Sequence, residues 1–540
     1  MKYYLKNNIL LEPLYNQWYA WSYLISPSTA PLYVVNSHIN IMKSYIANPE
    51  MHARALENPK MLGGPFIDYQ GGRVDEISQL LEKTMLEGAD MIDFDESVKE
   101  LYELLEDADG STLEDLYDEV PESLKGYVEL IYDVNNHASF RFIEALLYES
   151  DFYKEESQSV VLSEINQDYR SFLLSTPRLN KPGEVKLNLP FKHAGYDFLA
   201  KMRETPQSLD DLQQNLSLNE AQLEALKPFL SEEKPWKAED RNYTGDQVRI
   251  RYFGHACALI QTDEVNILID PFISYEYPTE IDRFTFSDLP DHIDYVLITH
   301  NHQDHVLLEV LLQLRYKIGE IVVPSSGKGT LEDPSLKMTL KKLGFPRVTD
   351  VDDLEQLDIP GGEIISLPFL GEHADLNIRT KAAHLVRLHG RSILLAADSS
   401  NLEIKLYERL QKVLGDIDVI FLGMESEGAP LSWLYGPLVP DDLTWEMDQT
   451  RRLNGSDFQR GYDLVKYFNP QAVYIYAMGM EPWTTFILGA AYEDDSKAIV
   501  DSDQLMDACR ADGIVTERLY LKHELFLDKI SQEAEIEMHA

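Results

Sequence analysis

A run of three histidines and one aspartate constrains the fold of this chain more than any other feature. The run THNHQDHV, residues 299–306, directly follows the apolar segment IDYVLI, which has the character of a buried strand. His300 and His302 are two residues apart, so they can point to the same side of an extended segment and bind one metal ion. Asp304 and His305 follow as the chain turns and can serve a second ion. The motif predicts a two-metal site at a strand end.

The residues after Gln247 are typical of an α/β domain. Short runs with alternating or wholly apolar character predict strands, among them VRIRYFGHACALIQ, VNILIDP, EIISLPF and RSILLAADSS. Helical stretches such as 306–316 separate some of them. His389 and Gly390 lie between two such runs and predict a tight hairpin. The sheets should therefore be mixed rather than purely parallel.

The first 245 residues differ from the rest of the chain in their residue pattern and contain no metal-binding motif. Aromatic residues are dense between positions 11 and 45, which indicates a buried packing segment or an interface. The segment 87–122 is strongly acidic with interleaved leucines, which predicts amphipathic helices with a solvated acidic face; an acidic docking surface is the alternative. Two short helices, each opening with a serine cap, are expected over 208–233.

A polar stretch at 233–247 marks the predicted domain boundary. It divides the chain into a mixed, largely helical N-terminal domain, residues 1–245, and a catalytic domain, residues 246–540. The N-terminal domain is expected to serve in dimerisation or in docking of a substrate or carrier.

Composition excludes several classes of protein. The chain has 92 acidic and 48 basic side chains, a formal net charge of -44 and a pI near 4.6. Such acidity argues against binding to nucleic acid or to an anionic membrane surface. Two cysteines, Cys257 and Cys509, exclude a disulfide scaffold and a cysteine-rich zinc module. The N-terminus lacks the pattern of a signal peptide, so a cytoplasmic location is expected.

The H-x-H-x-D-H run resembles the signature of the metallo-β-lactamase superfamily, and the resemblance extends over roughly residues 248–523. FGHACALI and ILIDPF match the opening strands of that family, and AADSS supplies Asp398 where the family has its bridging aspartate. The resemblance implies an αββα sandwich with the metal site at one edge of its two sheets.

The third-ligand position departs from the family pattern. The superfamily usually places a histidine in a Gly-His turn there, whereas this chain has Gly371, Glu372 and then His373. In this register a carboxylate replaces an imidazole, and His373 could reach the metal if the turn slips by one residue. A site rich in carboxylates suits iron better than zinc.

The resemblance implies two sets of metal ligands that share Asp398. The first ion is expected to bind His300, His302, Glu372 and Asp398. The second is expected to bind Asp304, His305, Asp398 and His523. His255 and Asp270 lie at strand ends that reach the metal edge in the family and are candidates for supporting contacts, with His373 as a third.

A long insertion, residues 423–464, is expected near the mouth of the site. Its aromatic and basic side chains, including Trp433, Tyr435 and Arg451, could shape a substrate pocket. The alternative interpretation is that the insertion is an ordinary packed segment without a role in the site.

The two-part layout, the aromatic opening and the sequence GEHADLN resemble diiron β-hydroxylases of the kind found in chloramphenicol biosynthesis. This resemblance implies a monooxygenase with two iron ions that uses O₂ and an external electron donor or reductase. Its substrate would be an amino acid or a derivative of one, held as a thioester on a carrier protein in natural-product biosynthesis. Glu372 and Asp398 would be central to catalysis, and the enzyme would be a homodimer.

Two alternatives remain open from the sequence. One is a dinuclear zinc or manganese hydrolase of the metallo-β-lactamase superfamily. The other is a diiron oxygenase that acts on a free small molecule by N-oxygenation or desaturation. The net charge favours the latter over a carrier-bound substrate, because carrier domains are usually acidic as well.

Overall fold

A computed structural model describes residues 1–58, 61–440, 443–489 and 492–530. Its N-terminal half mixes short strands with helices. The strands are β1 (Tyr4–Leu5), β2 (Ile9–Tyr15), β3 (Trp18–Tyr19), β4 (Val128–Tyr132), β5 (Ala138–Phe142), β6 (Gln158–Glu164), β7 (Val185–Leu187) and β8 (Leu230–Ser231). The helices are α1 (Ser22–Ile25), α2 (Ala30–Tyr33), α3 (Asn40–Ala47), α4 (Pro49–Leu56), α5 (Val74–Glu87), α6 (Ala89–Glu106), α7 (Glu144–Leu147), α8 (Ala194–Lys201), α9 (Leu209–Leu216) and α10 (Glu220–Leu226).

The C-terminal half contains two large sheets and the helices that connect their strands. The strands are β9 (Val248–Gly254), β10 (Cys257–Gln261), β11 (Asn266–Ile269), β12 (Ile293–Leu297), β13 (Ile318–Pro324), β14 (Val348–Val351), β15 (Gln356–Ile359), β16 (Gly362–Leu367), β17 (Ala383–Leu388), β18 (Arg391–Leu395), β19 (Val419–Gly423), β20 (Ala472–Tyr476), β21 (Val515–Arg518) and β22 (His523–Leu527). The helices are α11 (Leu308–Leu314), α12 (Leu336–Lys342), α13 (Ile404–Leu414), α14 (Leu431–Leu434), α15 (Trp445–Thr450), α16 (Phe458–Phe468) and α17 (Lys497–Ala511).

The two sheets have seven strands each and pack face to face. The first has the order β14-β13-β12-β11-β10-β9-β22, and the second has the order β15-β16-β17-β18-β19-β20-β21. Parallel neighbours such as β11 and β12 occur beside antiparallel ones such as β17 and β18. Apolar side chains from both inner faces, for example Ile267, Leu297, Val386 and Phe421, form the core between the sheets. The predicted αββα sandwich with mixed sheets is confirmed.

Helices cover the outer face of the second sheet, whereas the N-terminal half helps to cover the first. Helices α13, α16 and α17 bury their apolar sides against the second sheet. One apolar cluster joins the outer face of the first sheet and helix α11 to residues of the N-terminal half, including Trp18 and Tyr23. The aromatic opening segment is therefore packed inside its own chain. Its aromatic residues give no support to an exposed dimer interface.

The starts of helices α9 and α10 follow from their capping residues. Ser208 caps α9 through a capping box with Asp211, as the sequence predicts. The next helix, α10, is capped by Asn219 rather than by Ser217, because Ser217 ends α9 in a left-handed conformation with φ of 52°. Within the described residues, no helix has the length and hydropathy needed to cross a membrane.

A buried ion-pair network ties the N-terminal half to the first helix of the sandwich. The guanidinium of Arg170 donates to Glu12 on β2 at 3.1 Å and to Glu309 on α11 at 2.9 and 3.0 Å. It also lies over the ring of Phe486, 3.7 Å from the ring centroid. Ser22 makes a further contact across the halves. Its hydroxyl donates to Oδ1 of Asn301 at 2.6 Å, and Asn301 lies between His300 and His302 in the sequence.

Replacing Arg170 with alanine should lower the free energy of unfolding by about 3–5 kcal/mol, because Glu309 would stay buried without its cation. Urea unfolding followed by circular dichroism measures the change. Arg54→Ala is the matched control, since Arg54 and its partner Glu50 are both largely exposed and the pair should contribute little. Equal stabilities of the Arg170 variant and the wild type would contradict this account of the network.

Candidate metal centre

Five connections bring the predicted site residues to one edge of the sandwich. His300, His302, Asp304 and His305 lie between β12 and α11, and His255 lies in the turn between β9 and β10. The other residues follow strand ends: Asp270 follows β11, Glu372 follows β16 and Asp398 follows β18. Because β11 and β12 are parallel, the residues after them meet at the same edge. Backbone strain is concentrated there too, since His255, Asp270 and Glu372 have φ of 51°, 39° and 64°.

The first group of ligand atoms comes from His300, His302 and Glu372. Their candidate atoms all lie within 4.8 Å of one another, and all three side chains are buried. Nδ1 of His302 is 2.8 Å from Oε1 of Glu372, and Nε2 of His300 is 3.7 Å from Oε2. The carboxylate of Glu372 therefore occupies the place expected of a third ligand.

The second group consists of His255, Asp304 and His305. Oδ2 of Asp304 lies 3.0 Å from Nε2 of His255 and 3.6 Å from Nε2 of His305. These atoms also fall within 4.8 Å of one another. The two groups are thus arranged for two ions.

Asp398 lies between the two groups. Its Oδ2 is 2.9 Å from Nε2 of His305 and 3.8 Å from Nε2 of His300. A single carboxylate in this position can contact both ions, which is the arrangement of a bridging ligand.

The chemistry of this cluster fits two cations. Among the described residues, Nε2 of His300 and Oδ1 of Asp398 are buried without any hydrogen-bond partner. Burial raises the pKa of Glu372 well above its usual range, and the nearby carboxylates of Asp398 and Asp304 raise it further. Burial also lowers the pKa of His300, and the adjacent rings of His305 and His302 add to this, so the ring stays neutral as a metal ligand must.

Two side chains outside the groups fix the orientation of the histidines. Oδ2 of Asp270 is 2.8 Å from Nδ1 of His305, and Asp270 also accepts a hydrogen bond from the backbone N–H of Thr299 at 2.8 Å. Asp270 has no proton to donate when ionised, so it holds the Nδ1–H tautomer of His305 and leaves Nε2 free. The hydroxyl of Tyr435 lies 2.7 Å from Nε2 of His302 and leaves Nδ1 facing Glu372.

The structure places His373 and His523 outside the groups. The ring of His373 is buried and stacks on that of His302, with 4.6 Å between centroids. His523 lies on the edge strand β22, where its Nδ1 is 3.6 Å from Glu517 and its ring contacts Tyr474. His523, predicted to complete the second site, is not brought into either group, because it lies on β22, which pairs with β9. His255, expected only as a supporting residue, lies in the second group instead.

Sequence reasoning missed Glu425 and the contact of Tyr435. Burial raises the pKa of Glu425 to about 8, and Asp398 and Asp304 add to the shift. A signal for Glu425 existed, since it follows the buried strand β19, which is parallel to β18 and ends at the same edge. Tyr435 could be assigned only to the surroundings of the pocket, because its contact with His302 spans 133 residues of sequence.

Comparison with known proteins agrees with this geometry along the whole chain. Residues 4–235 match the model of the diiron non-heme β-hydroxylase N-terminal domain, and residues 249–424 match a β-lactamase superfamily domain. A 4-amino-L-phenylalanyl-[CmlP-peptidyl-carrier-protein] 3-hydroxylase of Streptomyces venezuelae is 39% identical over 536 residues, which cover 98% of this chain and 100% of the relative.

Solved structures give the same result. The crystal structure of CmlA, a diiron β-hydroxylase from Streptomyces venezuelae, matches with a TM-score of 0.91 and 38% identity over 98% of this chain and 100% of that one. A mutant of the CmlA β-hydroxylase matches with a TM-score of 0.89 and 38% identity over 97% of this chain and 100% of that one. The chain therefore belongs to the diiron non-heme β-hydroxylases, and it is an iron-dependent hydroxylase built on a metallo-β-lactamase fold.

Proposed function

We propose that this protein hydroxylates the β-carbon of an amino acid held as a thioester on a peptidyl carrier protein, with O₂ as co-substrate and electrons from an external donor. The observation that carries the proposal is the buried cluster in which Glu372 joins His300 and His302 while Asp398 lies between them and His305. The name of the relative from Streptomyces venezuelae supports the choice of an aminoacyl carrier protein as substrate.

We assign the ligands of the two irons from the two groups and the shared aspartate. The first iron would be held by His300, His302, Glu372 and Asp398, and the second by His255, Asp304, His305 and Asp398. When bound, such a pair of irons supplies the reductive activation of O₂ that hydroxylation of a C–H bond requires.

The protein contributes position, charge and exclusion of water. The contacts of Asp270 with His305 and of Tyr435 with His302 hold each imidazole with one nitrogen directed into the cluster. Burial of the ligand side chains keeps bulk water away from the reactive centre, which suppresses side reactions. The three carboxylates of Asp304, Glu372 and Asp398 offset most of the positive charge of two divalent ions.

Electrons have to come from a partner protein or another external donor. Cys257 and Cys509 are both buried and free, and burial raises the pKa of the Cys509 thiol to about 11. Neither cysteine belongs to an iron–sulfur or flavin-binding motif. A reductase is therefore part of the proposal, and a homodimer remains a prediction.

A free small molecule is the second candidate substrate, and the net charge of -44 is the observation that favours it. An acidic carrier would meet overall repulsion at long range. Two arginines of the 423–464 insertion are anchored to the backbone, since Nε of Arg451 donates to the carbonyl of Ala374 and Nε of Arg452 to that of Gly428.

The form of the substrate is decided by a matched comparison. The iron-loaded, chemically reduced enzyme is exposed to ¹⁸O₂ with each amino acid, once free and once loaded on a peptidyl carrier protein. We expect one ¹⁸O atom on the β-carbon of the loaded amino acid only, measured by mass spectrometry after release of the thioester. Labelling of the free amino acid alone would show that the substrate is free rather than carrier-bound. Turnover without reductant or O₂ would contradict an oxygenase.

Replacing Glu372 with histidine should retain metal but abolish oxygenation, because a neutral imidazole removes one of the three carboxylates that balance the charge of iron. Bound metal is measured by elemental analysis and product by the ¹⁸O assay. Glu427→Gln, an exposed acid on the insertion after β19, is the control and should leave both unchanged. Oxygenation at the wild-type rate in Glu372→His would remove the main argument for a carboxylate ligand.

Replacing Tyr435 with phenylalanine should reduce iron affinity or turnover by about 10–100-fold, since His302 would lose the contact that fixes its orientation. Competition with a coloured chelator gives the affinity. Tyr33→Phe is the matched control. The Tyr33 hydroxyl donates to the carbonyl of Leu434 in the same region, and the structure shows no hydrogen bond from it to a histidine of the two groups. If both variants bind iron like the wild type, Tyr435 has no role in orienting His302.

A further inference from the structure

A second group of potential metal ligands lies at the edge of the sandwich opposite the metal centre. It consists of Asp263 and Glu264, in the connection between β10 and β11, and His389, in the two-residue connection between β17 and β18. One ligand atom from each lies within 4.8 Å of the others. We call these three residues the hairpin cluster. The strand β18 lies between His389 and Asp398, so its full length separates the hairpin cluster from the metal centre.

His389 has the orientation of a metal-binding histidine. Its side chain is only 5% exposed, and its Nδ1 lies 3.3 Å from the carbonyl oxygen of Asp246. Because a carbonyl only accepts hydrogen bonds, Nδ1 carries a proton and Nε2 is the nitrogen that can bind a metal. A backbone carbonyl holds Nδ1 in the same way in many metal sites.

Nε2 of His389 faces two carboxylates. Nε2 lies 3.9 Å from Oδ1 of Asp263 and 3.9 Å from Oε2 of Glu264, distances too long for hydrogen bonds. Three acceptors thus converge, and in the described ranges of the chain Nε2 has no hydrogen-bonding donor. Ligand atoms about 2.1 Å from a tetrahedral zinc ion are about 3.4 Å apart. Since Asp263 and Glu264 are about half exposed, small rotations of their side chains give this spacing.

Gly361 leaves the space open beside the three ligands. It lies in the turn between β15 and β16 with φ of 76°, and its carbonyl accepts from the backbone N–H of His389. A Cβ at this position would lie 2.8 Å from Oε2 of Glu264 and 3.5 Å from Nε2 of His389. Any other residue would occupy the space into which the ligand atoms point.

We propose that Asp263, Glu264 and His389 bind a divalent first-row transition-metal ion of the zinc type, with water completing its coordination. One imidazole and two carboxylates form a ligand set that such ions accept. Asp263 and Glu264 belong to the first sheet and His389 to the second, so the ion ties the two sheets together. Its role is to stabilise the fold, and it takes no part in oxygenation.

Cobalt(II) is the probe, because it substitutes for zinc and absorbs visible light when protein-bound. Iron-loaded protein is equilibrated with Co²⁺, freed of unbound metal and analysed for both elements. We expect one cobalt per chain with the iron content unchanged, together with a higher Tm. His389→Asn should weaken cobalt binding by at least about tenfold while it preserves the turn, since asparagine readily adopts positive φ. The double variant Asp263→Asn/Glu264→Gln should show the same loss.

The control is Asp494→Asn/Asp495→Asn, which removes two exposed neighbouring acids elsewhere on the surface and should bind cobalt like the wild type. Absence of cobalt from the wild type would overturn the proposal. Equal binding by wild type and both cluster variants would do the same. Cobalt that enters only as iron leaves would belong to the metal centre and would also count against the hairpin cluster.

Discussion

Buried negative charge at one edge of the sandwich is the constraint on which the rest of this structure depends. Asp304, Glu372 and Asp398 are held together away from bulk water, where an uncompensated carboxylate costs several kcal/mol. Contacts with the histidines relieve this cost only in part, since buried atoms such as Oδ1 of Asp398 have no hydrogen-bond partner among the described residues. Two divalent cations resolve it.

The fold supplies the rigidity that such a cluster needs. Each side chain of the cluster lies just beyond the end of a strand or in a tight turn between strands, so the sheets fix the backbone from which it projects. Asp270 and Tyr435 then fix two of the rings, one from the neighbouring strand and one from the long insertion. The substitution of a carboxylate for an imidazole at Glu372 leaves this framework intact and changes only the electronic character of the site, from one suited to zinc hydrolysis to one suited to iron.

Local signals in the sequence were sufficient for the sandwich and for most of the centre. The H-x-H-x-D-H run, the apolar strands and the position of Asp398 all depend on short-range patterns, and the hairpin at His389 and Gly390 depends on two residues. The position of His523 could not be predicted, because it depends on the pairing of β22 with β9, which joins residues about 270 positions apart in the sequence. The packing of the N-terminal half could not be predicted from the sequence. Its aromatic residues pack on the outer face of the first sheet, and no local periodicity in the sequence indicates that contact.

The hydrogen bond from Ser22 to Asn301 connects the N-terminal half to the middle of the metal-binding run. Together with the apolar cluster shared across the predicted boundary, it packs the two halves against each other. Part of the outer layer of the first sheet is supplied by residues that precede the sandwich, so the run that contains His300 and His302 is held from two sides, by its own strand and by the N-terminal half.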